Sequence, residues 1–137
     1  MLDRRGLVAG LLIALPVEAW PQQRVPEPRR SFIIFFDFGS LELLPRGEQL
    51  VHAAADSAKK HNSTRVEVRG FTDSAETDEA PEDLSKNRAD VVADLLDDYG
   101  VPSDAIKASG FGATRALKAT ATGTREPENR RVEIVIR

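Results

Sequence analysis

The chain predicts a two-layer α/β sandwich of order βαβαββ, in which helices cover one face of a mixed four-stranded sheet. Three observations carry that expectation. One near-continuous apolar run and two strictly alternating runs read as strands, and two stretches of helical periodicity separate the first three strands. The length of 137 residues suits a single core with extensions.

The first nineteen residues stand apart from the rest. Arg4-Arg5 precede an apolar run from Gly6 to Leu15, and Pro16-Val17-Glu18-Ala19 supplies small residues one and three positions before a cut after Ala19. A basic start, a short apolar stretch and small residues at the cut form a secretory signal, and the run is too short to span a bilayer. The alternative for this segment is a buried N-terminal helix. The paired arginines also fit a twin-arginine export signal loosely, so the export route stays open. Residues 20–31 contain Pro21, Pro26 and Pro28 among glutamines and arginines, a composition that favours an extended linker. The folded domain is expected over residues 32–137.

Phe32-Ile33-Ile34-Phe35-Phe36-Asp37-Phe38 is the first strand, apolar enough to be buried on both faces. Pro45 suits a first helical turn, and Leu50, Val51, Ala54, Ala55 and Ala58 recur on one helical face up to His61-Asn62. Arg65-Val66-Glu67-Val68-Arg69 alternates as a half-exposed second strand that runs into Gly70-Phe71-Thr72-Asp73. Leu84, Val91, Val92, Leu95, Leu96 and Tyr99 mark a second helix that Gly100 closes. Pro81 is tolerated only in a first turn, which puts the start of this helix near Asp78, and the surrounding carboxylates suit its positive end. Ile106 to Gly112 is a third strand, residues 112–123 form a loop, and Arg131 to Ile136 alternates as the last strand.

Composition excludes several kinds of function. Hydrophobic content of 41%, charged content of 30% and a net charge of −3 describe an ordinary globular surface, without the broad basic face that nucleic acid requires. The absence of cysteine removes disulfides, zinc thiolate sites, thiol catalysis and a lipid-modified N-terminal cysteine. His52 and His61 lie nine apart with no carboxylate in a ligand pattern, so they read as surface histidines and no metal site is expected. Gly110-Phe111-Gly112 begins like a dinucleotide loop but lacks the third glycine and the following helix. Ser40, Ser74 and Ser85 have no histidine placed to activate them, and no acid and base pair stands out among the carboxylates. No enzymatic activity and no cofactor are expected.

The candidate site is Asp73 with Arg88. Asp73 follows the second strand, and Arg88 sits in the second helix between Leu84 and Val92, beside its apolar stripe. A guanidinium presents a planar fork to a carboxylate, and an aspartate suits an ammonium, so together they fit a zwitterion. The same two residues could instead pair with each other as a structural salt bridge, and spacing does not separate these readings.

Taken in order, Phe36-Asp37, Gly70-Phe71-Thr72-Asp73, Leu84-Ser85-Lys86-Asn87-Arg88-Ala89, Gly100-Val101-Pro102, Gly110-Phe111-Gly112 and Asn129-Arg130-Arg131-Val132-Glu133-Ile134 resemble the OmpA-like peptidoglycan-binding domain family across residues 32–137. The resemblance implies a non-catalytic domain that binds peptidoglycan through the diaminopimelate of its stem peptide and anchors to the wall. Asp73 would contact the ammonium and Arg88 the carboxylate, with Thr72 and Leu84 beside them and Asp37 at the end of the aromatic strand. Arg131 is a further candidate that alternation places either beside the site or on a solvated face. The resemblance also implies export to the periplasm, association with cell wall or outer membrane, and outer-membrane or other envelope proteins as further partners, with no membrane-spanning segment in the mature chain.

Two departures from the family pattern bear on the site. Glu76 stands where the family usually has glycine, which predicts a reshaped loop, and Pro81 stands where it usually has asparagine, which predicts a lost ligand contact. They define a second reading, an OmpA-like scaffold that acts as a protein interaction module of the envelope.

Overall fold

The computed structural model describes residues 30–79 and 83–137. The signal segment, most of the linker, Pro81 and Glu82 lie outside the described residues. Strands β1 (Arg30–Phe35), β2 (Val66–Gly70), β3 (Ile106–Gly110) and β4 (Arg131–Ile136) form one sheet in the order β1-β4-β2-β3. β4 is antiparallel to both β1 and β2, whereas β2 and β3 run parallel, so the sheet is mixed as the sequence predicts. Helices α1 (Pro45–Lys60), α2 (Ser74–Glu79) and α3 (Leu84–Asp98) complete the chain order, with α1 and α3 packed on the sheet.

The core lies between the sheet and these two helices. Ile34, Val66, Val68, Val132, Ile134 and Ile136 point into it from the strands, Val51, Ala54, Ala55 and Ala58 from α1, and Ala89, Val92 and Leu96 from α3. The small alanines of α1 let that helix approach the sheet closely. The other face carries Glu67, Arg69 and Glu133, as period-two alternation requires.

Four expectations need correction. β1 is not buried on both faces: Ile33 and Phe35 are 36% and 46% exposed, because helices cover a single face and β4, not β1, takes the interior position. β1 also begins two residues early, with Arg30 and Ser31 paired to Ile136 and Val135, and it ends before Asp37, where Ser40 N–H turns back to the Asp37 carbonyl. The second helical stretch is two helices, α2 starting at Ser74 and α3 at Leu84 after Asp83 in a left-handed conformation (φ 70°), rather than one starting near Asp78. β3 stops at Gly110, because the following turn has Gly112 at φ 57°.

Two glycines set where α3 begins. A Cβ on Gly70 would lie 1.7 Å from the Ser85 carbonyl oxygen, and one on Gly110 would lie 2.6 Å from the Lys86 nitrogen. The first turn of α3 therefore rests directly on the ends of β2 and β3. Gly112 N–H donates to Ser85 Oγ at 3.0 Å and ties the following loop to the same turn. Arg88, one turn further along, is thereby delivered to the carboxyl end of β2.

Candidate ligand site

Arg88 is completely buried. Its Nε donates to the Ser40 carbonyl at 3.0 Å, Nη1 to the Phe71 carbonyl at 3.2 Å, and Nη2 to the Asp37 carbonyl at 3.0 Å. The remaining fork grips Glu76, with Nη1 to Oε1 at 2.8 Å and Nη2 to Oε2 at 2.5 Å. All five N–H groups thus have acceptors, and the guanidinium also lies 5.1 Å from the centre of the Phe36 ring. The side chain joins the turn after β1, the end of β2, α2 and α3.

Glu76 is equally saturated. Besides the two guanidinium donors, Oε1 accepts from Asp73 N–H at 3.0 Å and Oε2 from Gly39 N–H at 2.7 Å. Asp73 returns the contact, its Oδ1 accepting from Glu76 N–H at 2.8 Å. Asp73-Ser74-Ala75-Glu76 is therefore a capping box that starts α2. The helical backbone of Glu76 needs no positive φ, so the strain that a glutamate would suffer in place of glycine does not arise.

Asp73 and Arg88, fifteen positions apart, do not pair with each other, nor do they face each other across an empty clamp. Glu76 stands between them, bonded to both. The second oxygen of Asp73 accepts from Arg130 Nη1 at 3.1 Å and from Glu126 N–H at 3.0 Å. Arg130 in turn donates to the Phe36 carbonyl at 3.1 Å, so the cation next to Asp73 is also built in.

Thr72 and Leu84 line a 280 Å³ cavity together with Glu76, Thr77, Ser85 and Gly112. The Thr72 hydroxyl oxygen is buried without a hydrogen-bond partner, while Thr72 N–H donates to the Gly112 carbonyl. Asp37 contributes only its backbone carbonyl, its residue being otherwise exposed. Arg131 is not beside this cavity. It is buried with its guanidinium 3.8 Å from the centre of the Phe71 ring, donates to the Arg115 carbonyl at 2.8 Å, and pairs with Glu133. Phe71 stacks on Phe111, over which Arg115 lies, so Arg131 holds down the loop after β3.

The residues missing from the sequence reading are Arg130 and the role of Glu76. Both had signals: Asp73-x-x-Glu76 is a capping pattern, and Arg130 precedes the strand whose alternation begins at Arg131. Neither signal says which distant group completes the contact.

The fold and this cleft define a small non-repeating α/β sandwich whose buried charge hub sits at one end of the sheet, between the strand ends and the start of α3. A family model described as the OmpA family matches residues 35–130, and the chain belongs to that family. It is 39% identical over 118 residues to an outer membrane protein of Gluconacetobacter diazotrophicus, a match covering 81% of this chain and 31% of that protein. It is 34% identical to the probable lipoprotein YiaD of Escherichia coli, covering 75% of this chain and 47% of that one. The chain thus spans less than half the length of either relative. Among solved structures, the OmpA-like domain of FopA1 from Francisella tularensis superposes with a TM-score of 0.67 at 26% identity, covering 78% of this chain and 71% of that one. The cell wall anchor of the type VI secretion system from Pseudomonas aeruginosa superposes at 0.63 and 26% identity, covering 79% and 80%.

Proposed function

We propose that this chain is a non-catalytic anchor of the cell envelope that binds peptidoglycan, with the diaminopimelate of the stem peptide received around Thr72, Asp73, Leu84 and Arg88. The observation that carries the reading is the position of these four residues. In a member of the OmpA family they gather at the carboxyl end of β2, beside a cavity with an unpartnered buried hydroxyl. A charge-assisted contact to a ligand carboxylate or ammonium is about twice as strong as a neutral hydrogen bond. Relatives include a protein named peptidoglycan-binding protein ArfA in Mycobacterium tuberculosis, 34% identical over 103 residues, which supports the same class of ligand. The reading places the chain outside the cytoplasm, and among the described residues no helix is long and apolar enough to cross a membrane.

The test is co-sedimentation of the full chain with purified sacculi. Binding is expected, and Asp73→Asn, which keeps one oxygen for the Glu76 cap, is expected to weaken it about tenfold or more, as loss of a charged contact does. A chain that stays in the supernatant, or an Asp73→Asn variant that pellets like the wild type, removes this site from the function.

The saturation of Arg88 by Glu76 favours a second reading, a scaffold that holds protein partners of the envelope and takes no wall ligand. Its exposed Ile33, Phe35, Leu41 and Leu44 would serve that role. Recovery of an envelope protein by the chain, with sacculi not bound, is the outcome that selects it.

A further inference from the structure

We propose that Glu76 occupies, in the free protein, a socket built for a ligand carboxylate, and that a wall peptide reaches Arg88 only by exchanging its own carboxylate for that of Glu76. The proposal rests on the peptidoglycan reading and adds to it the residue that sets the ligand threshold.

The socket has four donors: Arg88 Nη1 and Nη2, Asp73 N–H and Gly39 N–H, at 2.5–3.0 Å from the two oxygens of Glu76. A planar fork with two backbone N–H groups is how a protein holds a free carboxylate, and nothing in this set requires the carboxylate to belong to the chain. The rest of the guanidinium is fixed on three backbone carbonyls, Asp37 and Ser40 in the turn after β1 and Phe71 at the end of β2, so its orientation does not depend on Glu76 alone. Glu76 itself comes from α2, which is only six residues long. It lines the 280 Å³ cavity shared with Thr72 and Leu84.

A second observation in that cavity points independently to a ligand. Thr72 is 4% exposed, and its hydroxyl oxygen has no partner. A buried hydroxyl without a partner is uncommon in a native fold, and a polar group entering this cavity would supply one. Exchange of one carboxylate for another leaves Arg88 neutralised throughout, so anionic groups compete for the socket and neutral ones do not.

The experiment removes the built-in occupant. Glu76→Ala in the full chain leaves the four donors around an empty space. Its thermal unfolding is followed in acetate, in diaminopimelate, and in chloride at matched ionic strength. The melting temperature of the variant is expected to fall below that of the wild type and to rise with acetate and with diaminopimelate, while the wild type does not respond to acetate. Calorimetric titration is expected to show diaminopimelate binding the variant at least tenfold more tightly than the wild type. A Glu76→Ala protein indifferent to both carboxylates, or one binding diaminopimelate no better than the wild type, overturns the proposal. Should Glu76→Ala not fold even in acetate, Glu76→Gln, which keeps the shape and drops the charge, decides by the same titration: a severalfold gain supports the socket and no gain overturns it. Sacculus binding separates the two levels. Wild type that pellets without any gain in the variants leaves the wall reading standing and the socket fallen, whereas variants that take acetate in a chain that never pellets leave the socket standing and the wall reading fallen.

Discussion

Arg88, Glu76 and Asp73 show how residues chosen for a site become part of the scaffold. Asp73 and Arg88 were legible because their residue types, spacing and neighbours match a family pattern, but their partners were not, since Gly39, Phe71 and Arg130 meet them only through the tertiary fold. Removing one member of a buried, hydrogen-bonded ion pair leaves the other charge uncompensated, so Arg88→Ala is expected to destabilise the domain by about 3–5 kcal/mol. Pairing a buried apolar replacement with a neutral partner removes that charge, so the double variant Arg88→Met with Glu76→Gln is expected to recover much of the loss. Chemical unfolding of the two proteins measures the difference. A single Arg88→Ala variant as stable as the wild type would show that the pair contributes nothing. The same result explains why loss of wall binding in Arg88→Ala is informative only beside an unfolding curve.

At the scale of elements, periodicity located α1, β2 and β4 to within a residue or so because each has a clean period and a clear stop. It failed between β2 and α3. There the chain carries a short helix whose start is fixed by a reciprocal cap, and a left-handed residue at Asp83 separates it from the next helix. Such features show weakly in hydropathy, since Asp73, Glu76 and Asp83 are polar and mark no apolar period, and Asp83 falls inside the single helix that Pro81 suggests. The junction of α3 with the sheet is stricter than any pattern indicates. Gly70→Ala puts a methyl into the Ser85 carbonyl, which belongs to backbone and cannot rotate aside. A loss on the order of 3 kcal/mol is expected from the forced shift, along with displacement of Arg88. The measurement is a denaturation midpoint, with the Gly70→Ala and Arg88→Ala losses compared for non-additivity; independent losses would mean the helix start does not position the guanidinium.

For the whole molecule, a carboxylate on the open face of the sheet contributes to acid stability. Glu67 is nearly buried there, 2.5 Å from Arg69 Nη2, 3.0 Å from Arg65 Nη2 and 3.5 Å from Arg137 Nη2. Burial alone would raise its pKa, but the hydrogen bond to Arg69 and the charges of Arg69, Arg137 and Arg65 outweigh it and hold the carboxyl below its ordinary 4.5. A depressed folded value stabilises above the unfolded pKa and is lost as pH falls through the folded one. Glu67→Gln is therefore expected to melt a few degrees below the wild type at neutral pH, with the gap narrowing once the pH drops under about 4.5. Melting curves across that range check the sign, and a gap that widens in acid would refute it.

The interior position of β4 has a consequence in time. β1 pairs only with β4, and β2 meets β1's side of the sheet only through it, so residues 131–136 must arrive before the first strand has any ladder partner. A chain that emerges from the ribosome from its amino end therefore leaves β1 without a ladder until nearly all of the domain has been made. The sheet therefore closes only when its last strand in sequence arrives, and the edge strand made first is among the last to be paired.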